Sequence, residues 1–230
     1  MSEIKEIVGK INKKLEKSGW YEKMRLYLIS EEFSGIVEKL KKFVDEDKRR
    51  FTPQLSIAFK WMELCPVDKI KAVILVDYVC PFIGYTDGIP MSLPVEHKED
   101  GTVVKKTPSP ILKDIFVSLN QKGDYHHTSD LSHWCQQGVL IIPMAVTSEV
   151  DKKPMYKLWQ PFLMRIIEAV NEHNPSVPWF LIGEKTFLYE DEIKSKYLRK
   201  AISWPKFEDV QWHEWINSIL KSQKKKDIKW

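Results

Sequence analysis

The residues that could do chemistry are few and scattered. Asp77 closes the apolar run Ala72-Val73-Ile74-Leu75-Val76. An acid at the carboxyl end of a buried parallel strand stands where open α/β sheets hold their ligands. Asp87 lies further along the same Pro- and Gly-broken stretch. His126, His127 and His133 gather near Asp124 and Asp130, residue types that ligate zinc. Neighbouring histidines point to different faces of any helix or strand, however, and no fixed ligand spacing recurs, so the cluster reads as a polar loop and no metal is expected. Cys65, Cys80 and Cys135 are odd in number, widely spaced and without a CxxC pair, which indicates buried thiols rather than a disulfide framework or a zinc knuckle. GxxxxGK, GxGxxG after a strand, GxSxG and HExxH are absent, which removes the commonest nucleotide, hydrolase and zincin readings and leaves no cofactor implied.

The elements that must position these residues follow from periodicity. Ile4, Ile7, Val8, Ile11 and Leu15 form one helical stripe, and Phe33, Ile36, Val37, Leu40 and Val44 form a second, with Ser30 as its N-cap. Buried strands are predicted at 72–76, at Val139-Leu140-Ile141-Ile142, at Trp179-Phe180-Leu181-Ile182 and, fourth, at Lys200 to Ser203; helices cover 111–119 and 159–170. Strands alternating with helices predict an α/β fold, a three-layer αβα domain around a central, mostly parallel four-stranded sheet. From Tyr78 to Thr107 the prolines and glycines break every period, and this stretch reads as a long functional loop.

The chain has 230 residues and is 43% hydrophobic, enough for one full core, and a single domain over 1–230 is expected, with a helical part at 1–65 and a basic tail at 221–230. No apolar run approaches the roughly 20 residues of a membrane span, and the N-terminus lacks a secretory h-region. A soluble intracellular protein, in cytoplasm or nucleoid, is therefore expected, with no membrane partner. Net charge is +4, compatible with nucleic acid without proving it. The tail cluster Lys224, Lys225 and Lys226 could face phosphates, or could simply be solvated.

The order of segments resembles the family-1 uracil-DNA glycosylases over nearly the whole chain. Asp130-Leu131-Ser132-His133-Trp134-Cys135-Gln136-Gln137-Gly138-Val139-Leu140-Ile141-Ile142 is similar to that family's DLSxWAxQGVLLLN, and Trp179-Phe180-Leu181-Ile182-Gly183 to its FLLWG. Phe51, Pro53 and Phe59 ahead of KAVIL, and Asn217 through Lys226-Asp227-Ile228-Lys229-Trp230, match further landmarks. The catalytic motifs depart from the pattern. Where the family has GQDPYH, the chain has Val76-Asp77-Tyr78-Val79-Cys80-Pro81, which puts Tyr78 at the carboxylate position and Asp77 one residue earlier. Met91 replaces the stacking Phe and Pro143 the base-reading Asn. Ile202 or Ser203 takes the place of the catalytic His, and Phe207 that of the intercalating Leu.

On that resemblance, Asp77, Asp87 and Ser203 are the catalytic candidates. Tyr78, Cys80, Met91, Pro143 and Trp204 would line a base pocket, and Ser109, Thr147, Ser148, Lys206, Phe207 and the three tail lysines would contact DNA. The implied function is hydrolysis of the N-glycosidic bond of a flipped base by a monomer acting on duplex or single-stranded DNA. Loss of the Asn amide and the Phe wall suits a modified or bulky pyrimidine, a kind of base found in some viral genomes, so antiviral defence and a viral origin are both open. The alternative is a catalytically silent DNA- or protein-binding module of replication, with a protein partner; Trp204, Trp212, Trp215 and Trp230 could then anchor an interface, although such residues are more often core.

Overall fold

In the computed structural model, residues 2–94, 96–97, 103–104, 109–119, 129–201 and 211–230 are described. Ser203, Trp204, Lys206 and Phe207, and with them His126 and His127, lie outside the described residues.

Three helices open the chain: α1 (Ser2–Glu16), α2 (Trp20–Leu28) and α3 (Glu31–Asp45). The two predicted stripes become α1 and α3, and the Ser30 hydroxyl accepts the Phe33 N–H at 3.3 Å, as an N-cap should. Between them α2 was not anticipated; it buries Trp20, Met24, Tyr27 and Leu28 while leaving Leu26 exposed. After β1 (Phe51–Thr52) and α4 (Lys60–Leu64) comes β2 (Ala72–Val76), then the short strands β3 (Glu96–His97) and β4 (Val103–Val104), which pair as a small antiparallel ribbon inside the stretch read from sequence as loop. The chain continues through α5 (Pro110–Leu119), α6 (Ser132–Gln136), β5 (Val139–Pro143), β6 (Ser148–Glu149), α7 (Tyr156–His173), β7 (Trp179–Ile182), β8 (Leu198–Ala201) and α8 (Trp212–Ser222).

Four strands form the central sheet in the order β5-β2-β7-β8, every neighbouring pair parallel. Every residue of β2, β5 and β7 is buried, which is why these strands read as continuous apolar runs. The fourth strand, expected from Lys200, begins two residues earlier, at Leu198, and is described as far as Ala201. As an edge strand with only half-buried or exposed residues, Leu-Arg-Lys-Ala, it carries no apolar signature.

Two packing features tie remote segments to this sheet. At one face, Trp212 stacks on Phe180 with ring centroids 5.8 Å apart, Trp230 meets Trp212 at 4.6 Å, and Trp134 meets Trp230 at 5.1 Å. Trp212 and Trp230 are thus core residues and not interface anchors; Trp215 is half-buried beneath Arg199. On the other side, β1 pairs with β6, and Arg49 grips Glu149 with two hydrogen bonds while Lys152 donates to the same carboxylate at 2.8 Å. The Arg49 guanidinium, with Lys152 adding to it, holds the Glu149 carboxyl down to about 2. Because this folded value lies below the unfolded one, the stabilisation is complete above about pH 5 and is lost as pH falls toward 2. In chemical denaturation, Glu149→Gln should cost on the order of 2 kcal/mol at pH 7 and progressively less toward pH 3. An equal deficit at both pH values would contradict this account of the contact.

Candidate active site

The carboxyl ends of β2, β5 and β7 come together at Val76, Pro143 and Ile182, which lie side by side in register. Asp77 follows directly, its N–H bonded to the Ile182 carbonyl at 2.9 Å. Its carboxylate accepts hydrogen bonds from the Tyr156 hydroxyl, at the start of α7, and from Lys185 Nζ at 3.0 Å, just past β7. Its side chain is 16% exposed. Lys185 also lies 4.6 Å from the Tyr156 ring centre and 3.3 Å from its hydroxyl, so the three groups form one unit. The hydrogen bond to Asp77 raises the Lys185 pKa and fixes it as a cation; burial, followed by the hydrogen bond to Asp77, raises that of Tyr156 and keeps it a neutral donor. Gly183 makes the approach possible: at φ 97° a Cβ there would stand 2.6 Å from the Asp77 Cβ. Neither Tyr156 nor Lys185 was marked by a local motif, since they reach Asp77 only through the fold.

Tyr78, next in the chain, is half-buried and shares side-chain hydrogen bonds with Cys80 and Ser109. Burial first, and the Cys80 contact second, push its hydroxyl up to about 12, so it is a neutral phenol. A phenol offers a proton to an oxygen and no negative charge to a cation. The Cys80 thiol is likewise raised by burial, and its sulfur faces the Phe82 carbonyl at 3.7 Å. Ser109 accepts the Leu112 N–H at 3.3 Å where α5 begins. Met91 is 3% exposed and held at φ 69°, a left-handed conformation that a long side chain adopts only where its surroundings impose it. Pro143 is buried and brings no side-chain donor or acceptor.

Other expected site residues are used elsewhere. Asp87 is bonded to Lys60 at 2.8 Å, to the Ser92 hydroxyl at 3.1 Å and to the Ile89 N–H at 3.1 Å, while Ser92 in turn receives the Leu131 N–H. With its side chain 8% exposed, Asp87 braces the loop from inside, which leaves no oxygen directed at a substrate. Thr147 and Ser148 are fully buried. Thr147 accepts the Trp159 indole N–H at 2.8 Å, and Ser148 donates to the carbonyls of Glu149 and Lys152, so neither can reach a phosphate.

The tail lysines stand at the opposite end of the strands from Asp77. Lys71, just before β2, donates to the Lys226 carbonyl at 3.4 Å, and burial, followed by the nearby Lys71 charge, lowers the Lys225 pKa. Gln223 reaches the carbonyl of Ser176, ahead of β7, and Gln137, just before β5, exchanges hydrogen bonds with the Lys229 backbone. All these anchors lie at the amino ends of the strands, about 16 Å of β2 away from Asp77. Changing Lys224, Lys225 and Lys226 together to Ala is therefore expected to leave DNA affinity and its salt slope within about twofold of wild type in fluorescence anisotropy. A loss of a whole unit or more of slope would return the cluster to the DNA-binding face. Among the described residues no group of three or more His, Cys, Asp or Glu side chains is placed to hold a metal.

Known proteins resemble this chain in both sequence and fold. A curated uracil-DNA glycosylase of Streptococcus pyogenes serotype M4 is 25% identical over 225 residues, covering 92% of this chain and 97% of its own. One from Saimiriine herpesvirus 2 is 29% identical over 219 residues, 85% of this chain and 79% of its own. The chain is thus similar to curated uracil-DNA glycosylases over most of its length. No protein-family model matches it. The fold agrees with the crystal structure of mimivirus uracil-DNA glycosylase at a TM-score of 0.79 and 21% identity, over 92% of this chain and 85% of that one. A uracil-DNA glycosylase scaffold thus carries, at the strand ends where the motifs depart, a tethered Asp77, a neutral Tyr78 and an amide-free Pro143.

Proposed function

We propose that the chain is a DNA glycosylase of the uracil-DNA glycosylase fold that hydrolyses the N-glycosidic bond of a flipped, modified or bulky pyrimidine in preference to plain uracil. The observation that carries this reading is the Asp77 carboxylate, placed at the carboxyl end of the central strand and locked by Tyr156 and Lys185. As the glycosidic bond breaks, positive charge develops on the sugar. A fixed negative charge at low exposure stabilises that charge without first reorganising. Tyr78, neutral and hydrogen-bonded to Ser109, supplies a proton donor beside it. Met91 and Pro143, both buried, stand in place of a rigid aromatic ring and an amide, which suits a larger, substituted pyrimidine. The protein acts inside the cell, as a monomer, on duplex DNA with an extruded base or on a single strand, holding it through phosphates rather than by reading sequence.

A second reading is favoured by one specific observation. Both oxygens of Asp77 already have partners, and the residue in the family's carboxylate position is Tyr78, which suits a silent DNA-binding module. One experiment separates the two. Oligonucleotides bearing uracil or a 5-substituted pyrimidine, duplex and single-stranded, are incubated with the protein and treated with alkali. Strand breaks at the substituted base support the glycosylase; binding without breaks at any base moves the reading to the silent module.

A further inference from the structure

Away from the strand ends, α1 and the segment 50–57 enclose a cleft of about 1040 Å³ whose far wall is formed by Ile83, Gly84 and Thr86. Its floor is aliphatic, built on Ile7, Leu55 and Ile57 with Ile83 opposite. Ile57 is 38% and Ile83 54% exposed, a concentration of bare apolar side chains facing one hollow. The rim is basic: Lys10, Lys13, Lys14, Lys17 and Arg50 surround it, against the single carboxylate of Glu63. Glu63 is taken by Lys14 at 3.5 Å, and Lys14 also closes onto the Ser56 carbonyl. Lys10 is paired with Glu6. Among the described residues, Lys13, Lys17 and Arg50 have no acidic partner and stand exposed around the hollow.

We propose that this cleft docks a short acidic, amphipathic helix of a partner protein, its apolar stripe on the Ile7, Leu55, Ile57 and Ile83 floor and its carboxylates on Lys13, Lys17 and Arg50. The combination of floor and rim fixes the class of partner. An apolar hollow of this size takes side chains at i, i+3, i+4 and i+7 of a helix. The unpaired cations demand negative charge at the margins of the same segment. A nucleic acid would satisfy the rim but not the floor, because bases need planar faces to stack on, and Phe51 is the only aromatic side chain in the lining. The wall formed by 83–86 belongs to the loop that runs from Tyr78 and Cys80 to Met91, so an occupant would touch the segment that frames the proposed base pocket.

The test selects a random library of displayed 16-residue peptides on the purified chain, with a Lys13→Glu, Lys17→Glu, Ile57→Asp variant as the counter-target. All three positions are exposed, and a thermal melt superimposable on wild type shows that the variant is folded. The expected result is enrichment of peptides with Asp or Glu flanking apolar residues at helical spacing, which bind wild type and lose about 10-fold or more in affinity on the variant. Their binding should also weaken as salt rises. Enrichment of neutral or basic peptides, equal binding to the variant, no enrichment at all, or displacement of the selected peptide by oligo-dT at stoichiometric concentration would each overturn the proposal.

Discussion

Asp77→Asn is expected to lower the single-turnover rate of base release by about 10²–10³ or more while leaving DNA binding within a few-fold of wild type. The amide keeps the size of the carboxylate and an oxygen for the Tyr156 hydroxyl, but it removes the charge that would face the developing sugar cation. It also turns a donor-only NH₂ toward Lys185, whose ammonium loses its ion pair. That pair is half in solvent on the lysine side, so its loss costs about 1 kcal/mol or less of stability. A Lys185→Met variant separates the two effects: if the carboxylate acts on the substrate, this change lowers the rate far less than Asp77→Asn does. Asp77→Asn at the wild-type rate would remove Asp77 from the chemistry. Asp87 is committed to Lys60, Ser92 and the Ile89 N–H, so it does not stand ready to replace Asp77.

The largest stability effect is expected at the far edge of the sheet. Trp230→Ala should cost about 3–5 kcal/mol, because it empties the space between Trp134 and Trp212, the latter stacked on Phe180 of the sheet. The hydrogen bonds exchanged by Asn217 with Ile228 and by Gln137 with Lys229 would then hold a chain end that no longer packs. Urea unfolding checks the magnitude. Base release per folded molecule should be unchanged, since the cluster lies at the amino ends of the strands. A cost under about 1 kcal/mol would mean that the tail rests on the surface, contrary to the burial of Ile228 and Trp230.

Three strands were legible in the sequence for a physical reason. Parallel strands covered on both faces must be apolar throughout, and 72–76, 139–142 and 179–182 are. The start of the fourth, at Leu198 and not Lys200, leaves no mark in the sequence because an edge strand need not be apolar. The helix α2 leaves no clear stripe in the sequence, because its buried face is carried by Trp20, Met24, Tyr27 and Leu28 while Leu26 is exposed. Position along the chain says nothing about which end of a sheet a segment reaches. Nothing in the run Lys224 to Lys226 tells that it lies beside Lys71, at the amino end of β2, and away from Asp77.

The candidate site divides in the same way. Substitutions at single positions, Tyr78, Met91 and Pro143, could be read directly against a similar motif. What their side chains touch could not: Asp77 owes its tether to Tyr156 and Lys185, 79 and 108 residues away. Thr147 and Ser148, polar and next to a strand end, looked available for phosphate and are instead consumed by Trp159 and by backbone carbonyls. Polar type alone does not distinguish a side chain that satisfies the interior from one that serves a ligand.

The most direct measurement is the identity of the free base. A duplex carrying one uracil and one 5-substituted pyrimidine is mixed with excess protein, and the released bases are followed by mass spectrometry. The substituted base is expected to accumulate first, with uracil released at least about 10²-fold more slowly, because Met91 and Pro143, in place of a rigid ring and an amide, offer the small unsubstituted ring little to hold it. Uracil released as fast as the substituted base, or neither base released while the duplex is bound, would contradict it.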